Sequence, residues 1–180
     1  MKKFLIPVIL IVLAAAGSLW LTRSKQPTPA DQSLSEPKQG TSLGNKVPDF
    51  AVADYDGKAV KLSDFAGKPV FVNFWASWCP FCVEEMPLMA KIQQEFGDKY
   101  VTLAINRAER LTTAKEYSDR VGVTGKMILV LDDDDSVYRN FGYFAMPVSI
   151  FIDKNGVIRS VKQGPLQEEE LRNKINEILQ

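Results

Sequence analysis

The chain has 180 residues with 22 basic and 22 acidic side chains, so it carries no net charge, and no basic block suited to a phosphate backbone stands in it. Two cysteines and no histidine are too few ligands for structural zinc, which takes about four. Nucleic acid and structural metal are therefore not expected partners, and no cofactor is implied.

Met1-Lys2-Lys3 precedes an uncharged run from Phe4 to Leu21, and Thr22-Arg23-Ser24-Lys25 comes after it. As a helix rising 1.5 Å per residue, that run spans about 27 Å, near the hydrocarbon thickness of a bilayer. Residues 1–21 are expected to be a retained membrane anchor; Ala14-Ala15-Ala16 before Gly17 leaves a cleaved signal as the alternative. Both readings export the remainder of the chain into a compartment where disulfides persist. Lys2 and Lys3 are balanced by Arg23 and Lys25, so charge alone leaves the orientation open. Residues 22–45 turn to Pro, Ser, Gln, Lys and Gly and read as a flexible tether. Residues 46–180 suffice for one domain with its own core, expected to be monomeric.

Within the domain, Asp54-Tyr55-Asp56-Gly57-Lys58 is a turn between extended pieces at Asp49–Ala53 and Ala59–Leu62, and a short helical turn starts at Ser63. Pro69–Trp75 is apolar on both faces apart from Asn73, as befits a central strand covered on each side. Glu84 to Phe96 has helical spacing, is expected to kink at Pro87, and stops at Gly97. Next come a strand at Tyr100–Ile105, a helix capped by Thr112 or Thr113 and ending near Arg120, a strand at Met127–Leu131 and a short helix at Ser136–Phe141. Asp132–Asp135 reads as a solvated acidic loop, because calcium binding requires alternating ligands and a spacer glycine that are not there. Asn155-Gly156 marks a hairpin between Val148–Ile152 and Val157–Val161, and Leu171, Ile175, Ile178 and Leu179 form the apolar stripe of a last helix. Parallel crossovers and then an antiparallel ending describe an α/β domain with a mixed central sheet and helices on both faces.

The two cysteines stand three apart in Cys79-Pro80-Phe81-Cys82, where the central strand gives way to a helix. Unpaired backbone N–H groups and the helix dipole favour a thiolate at the first position, and the second lies one turn on, close enough to close a disulfide. A three-residue separation restricts little of the unfolded chain, so stabilisation is a poor reason for such a bond. Thiol–disulfide exchange is the better reading.

Val72-Asn73-Phe74-Trp75-Ala76-Ser77-Trp78-Cys79-Pro80-Phe81-Cys82, then Glu85-Met86-Pro87, and Met146-Pro147 before a strand resemble the thioredoxin-like superfamily. Within it they are similar to the membrane-anchored, extracytoplasmic thiol–disulfide oxidoreductases of bacteria associated with cytochrome c maturation. The resemblance covers about Val47 to Gln180 and implies a thioredoxin-like fold behind an N-terminal transmembrane helix. It implies Cys79 as nucleophile, Cys82 as resolving thiol, Glu85 as proton-transfer group and Pro147 in a cis peptide bond beside the dithiol. Trp75, Trp78, Phe81 and Met146 are expected to receive polypeptide, with Trp75 open to a plain core role. The implied partners are exported proteins with disulfides or dithiols, such as apocytochrome c, and a membrane-embedded thiol donor. The expected direction is reductive; a disulfide-donating oxidase on the same fold is the alternative. A peroxiredoxin signature would need Pro at 72 and Thr at 76, where Val72 and Ala76 stand. A non-catalytic binding module remains the reading outside enzymology.

Overall fold

The computed structural model describes residues 41–180. The expected anchor and most of the tether lie outside the described residues. Thr41, at the start of the described residues, accepts a hydrogen bond on its carbonyl from the Tyr143 hydroxyl at 2.8 Å. Gly44 N–H and Asn45 C=O then pair with Ile158.

Seven strands form one mixed sheet: β1 (Ala51–Asp54), β2 (Ala59–Lys61), β3 (Val70–Trp75), β4 (Val101–Arg107), β5 (Ile128–Asp132), β6 (Val148–Ile152) and β7 (Ile158–Gln163). Their spatial order is β2-β1-β5-β4-β3-β6-β7. β3, β4 and β5 run parallel, while β1 joins β5, and β6 joins β3, antiparallel. The parallel steps are made by α1 (Pro80–Phe96) and α2 (Leu111–Arg120), and the chain continues with α3 (Ser136–Phe141) and α4 (Glu168–Ile178).

β3 is wholly buried, and its alternation splits the core in two. Phe71 and Trp75 face a cluster with Met86, Met89 and Ile92 of α1, Ala114 of α2 and Leu171 and Ile175 of α4. Val70, Val72 and Phe74 face the other cluster, with Val137, Tyr138 and Phe141 of α3. Asn73 shares the parity of Phe71 and Trp75, so its amide points toward α1.

Several details differ from the sequence expectation. α1 starts at Pro80, not Glu84, because the first helical position needs no N–H donor and suits proline's fixed φ. Asp132 is not solvated: it is buried at the end of β5, and its carboxylate accepts the N–H groups of Val137 and Tyr138 in the first turn of α3 at 3.1 and 2.8 Å. Asp135 is bidentate with Arg107, whose guanidinium lies over the Tyr138 ring. Two of the four acids are thus structural, and the Tyr138 hydroxyl in turn donates to Ala145 C=O just before Met146-Pro147.

Candidate active site

β3 ends at Trp75, and the chain then makes a tight turn in which Cys79 N–H donates to Ala76 C=O at 3.1 Å. Cys79 is extended (φ −98, ψ 101) and occupies the N-cap of α1, with Pro80 behind it. Its sulfur accepts the Cys82 N–H at 3.3 Å, the contact a helix N-terminus offers an anionic or polarisable group. The two sulfurs are bonded, with Cα atoms 5.3 Å apart. Cys79 keeps 5% of its surface exposed and Cys82 none, so access from outside is to Cys79.

Glu85 lies one turn beyond Cys82 on the same face of α1 and is 4% exposed. Its Oε1 accepts Asn73 Nδ2 at 2.8 Å, and Oε2 accepts the Leu166 N–H at 2.9 Å from the segment before α4. Burial pushes its pKa up to about 7, against the opposing pull of the Leu166 N–H and the Asn73 amide. Asn73 Nδ2 also donates to Ser149 Oγ at 2.9 Å, across the β3–β6 register that sets these two residues side by side. Glu84 is exposed, the ordinary fate of a helix acid.

The Met146–Pro147 peptide bond is cis. Since Phe74 pairs with Val148, the strand register brings Pro147 level with the end of β3, where the turn to Cys79 begins. Pro147 is buried and Met146 half-buried.

A model of the redoxin family matches residues 42–179. The chain belongs to the redoxin family. Thiol-disulfide oxidoreductase ResA of Geobacillus thermodenitrificans is 32% identical over 142 residues, which is 78% of this chain and 80% of that protein. Thioredoxin-like protein YneN of Bacillus subtilis is 28% identical over 178 residues, 98% of both chains. A crystal structure from Chlorobium tepidum, assigned as a thiol:disulfide interchange protein DsbE, superposes with a TM-score of 0.71 at 30% identity, over 77% of this chain and 99% of that one. With the bonded Cys79–Cys82 pair at the start of α1, this redoxin is a thiol–disulfide oxidoreductase of the ResA and DsbE type.

Around this redoxin's dithiol, the expected apolar rim is only partly formed. Trp78 and Phe81 are 61% and 55% exposed, but Trp75 is fully buried in the α1-side core and presents no surface to a substrate. The reason is position: Trp75 ends a strand that α1 covers, whereas Trp78 lies within the turn that follows it. Phe144, 71% exposed and two residues before Met146, is an apolar side chain that the sequence pattern did not single out. Its one signal was an aromatic in the short loop before Pro147.

Glu85 gives a pH signature. Below its ordinary value of 4.5 it is protonated in folded and unfolded chains alike. As the pH rises toward about 7 the unfolded chain ionises it freely while the folded one resists, so the stability it contributes at low pH is lost through that window. Wild type should lose on the order of 3 kcal/mol relative to Glu85→Gln between about pH 4.5 and pH 8, since each tenfold difference in proton affinity is worth ~1.4 kcal/mol. Urea denaturation of both oxidised proteins across that range checks it; a difference that does not change with pH, or that grows in favour of wild type, contradicts the assignment.

Proposed function

We propose that this redoxin is an extracytoplasmic reductase, tethered to the membrane by residues 1–21, that passes two electrons from Cys79 and Cys82 to disulfides in exported proteins. The observation that carries the reading is the buried Glu85 carboxylate one helical turn from the resolving thiol. In the reduced protein the Cys79 thiolate attacks a substrate disulfide, forming a Cys79–substrate bond and releasing the first substrate sulfur as a thiolate. Cys82 then gives its proton to Glu85 and attacks the Cys79 sulfur. The second substrate sulfur leaves, and the Cys79–Cys82 disulfide reforms. A carboxylate that titrates near neutrality is suited to take that proton and later return it.

Asn73 supports the same reading from the opposite side. It cannot titrate, so it fixes the Glu85 carboxylate without competing for the proton. Trp78, Phe81 and Phe144 offer apolar surface for polypeptide, and Met146 and Pro147 border the approach to Cys79. The pair would be returned to the dithiol state by a membrane thiol donor. Apocytochrome c, whose heme-binding cysteines must be kept reduced, is the substrate class that the sequence resemblance favours. The uncharged run from Phe4 to Leu21 supports the anchor.

The full chain in detergent, given a dithiol, should reduce insulin disulfides. Cys79→Ser should bring turnover to background, and Cys82→Ser should accumulate a mixed disulfide through Cys79. Retained turnover in Cys79→Ser would overturn the dithiol mechanism, and a trap formed only by that variant would reverse the roles of the two sulfurs. Fractionation of cells expressing the full chain should find an unprocessed N-terminus in the membrane and the domain open to protease added from outside. A soluble product beginning near Gly17 would instead identify a cleaved signal.

A further inference from the structure

Ser77, at the centre of the turn that carries Cys79, is held from outside that turn. Its N–H donates to Glu109 Oε2 at 2.8 Å, and its hydroxyl donates to Oε1 of the same carboxylate. Asn106 Nδ2 donates to Glu109 Oε2 at 2.7 Å. Asn106 is wholly buried on β4, directly opposite Trp75 in the parallel register, so the strand pairing that ends β3 also fixes the base from which Glu109 reaches across. Between them Ala108 sits at φ 55, a left-handed conformation that a residue with a Cβ seldom adopts. Such backbone persists when its surroundings over-determine it, and these are commonly ligand or active-site segments.

The carboxylate is half-buried, and among the described residues no Lys or Arg forms a salt bridge with it. Its three hydrogen bonds come from uncharged donors, and two of those belong to Ser77. Ser77 and Trp78 are the two central residues of the turn closed by Cys79 N–H on Ala76 C=O. Anything that fixes Ser77 therefore fixes the path to the Cys79 sulfur and the base of the exposed Trp78.

We propose that Glu109 is a positioning residue for thiol–disulfide exchange: it clamps the Ala76–Cys79 turn through Ser77 and so sets where the Cys79 sulfur stands when a substrate disulfide approaches. Attack needs the two sulfurs and the leaving sulfur in line, and misplacement of a reacting atom by about 1 Å can cost as much as 100-fold in rate. A charge-assisted clamp of two bonds on one residue is a rigid means of preventing it. The inference rests on Cys79 being the attacking sulfur.

The test uses the full chain in detergent, comparing wild type, Ser77→Ala, Glu109→Gln, Glu109→Ala and the double variant Ser77→Ala, Glu109→Ala. Insulin reduction is measured directly, and iodoacetamide alkylation of Cys79 is measured in a Cys82→Ser background. Asp153→Ala is the comparator, since Asp153 accepts the Asn155 and Val157 N–H groups at the opposite end of the sheet from Cys79. Glu109→Ala should change the alkylation rate and lower kcat by about tenfold with KM little changed. Glu109→Gln, which keeps one acceptor, should fall between, and it carries the comparison if Glu109→Ala does not fold. The double variant should be no worse than Glu109→Ala, because both changes remove one interaction. Asp153→Ala should lower Tm and leave both rates alone. If Glu109→Ala lowers Tm as Asp153→Ala does while both rates match wild type, or if the two single effects multiply in the double variant, the clamp is wrong. Failure of the underlying reading looks different: Cys79→Ser then keeps its turnover whatever stands at 109.

Discussion

A carboxylate inside the interface between a sheet and the helix that covers it is an expensive thing for a fold to hold. Glu85 is there because three separate parts of the chain converge on it: α1 supplies the side chain, β3 supplies the Asn73 amide and the segment before α4 supplies the Leu166 N–H. Removing either donor leaves the charged form still less favoured, since a buried acceptor that loses its partner carries the full desolvation penalty. The rest of the site is built outward from this. β3 must be central and buried on both faces for Asn73 to be dry, and β6 must pair with it antiparallel for Ser149 to hold the Asn73 amide from the other side. The same β6 pairing brings the cis Met146–Pro147 bond to the end of β3.

Two opposing influences meet at the dithiol. The start of α1 and the Cys82 N–H stabilise a thiolate on Cys79, which favours the reduced pair and makes its disulfide a better oxidant. A group at a helix terminus gains about 0.3–1 kcal/mol when exposed and up to ~2 kcal/mol when partly buried. Against it stand the near-complete burial of both sulfurs and a neighbouring Glu85 that becomes negative as the pH passes about 7. Desolvation and like charge both disfavour a thiolate. The proposed reductase requires the second pair of influences to outweigh the first, so that the couple gives electrons away.

Much of this was legible in the chain. An apolar strand run into a Cys-x-x-Cys helix start, the Asn-Gly hairpin and the glycine stop at Gly97 are local signals, and each became the element it announced. Asn73 was visible as the exception in an apolar strand, and strand parity explains why it meets Glu85. What was not legible depends on pairing between distant segments. Trp75 belongs to the core because α1 folds back over its strand. Asp132 is buried because the first turn of α3 returns to the end of β5, which no count of consecutive acids discloses. Glu109 looks like one more surface acid until the β3–β4 register sets Asn106 beside Trp75 and aims the loop at Ser77.

If the buried surroundings of Cys79 and Cys82 outweigh the helix terminus, the pair is a reductant. The reduction potential of the Cys79–Cys82 couple in the full chain, measured by equilibration with a reference dithiol at neutral pH, tests it most directly. A tenfold change in equilibrium corresponds to about 30 mV for this two-electron exchange, so the two outcomes are well separated. A reductant should give a value in the range of reducing thioredoxins, about −270 mV or lower. A value near that of strong periplasmic oxidants, about −120 mV, would contradict it and make the protein a disulfide donor.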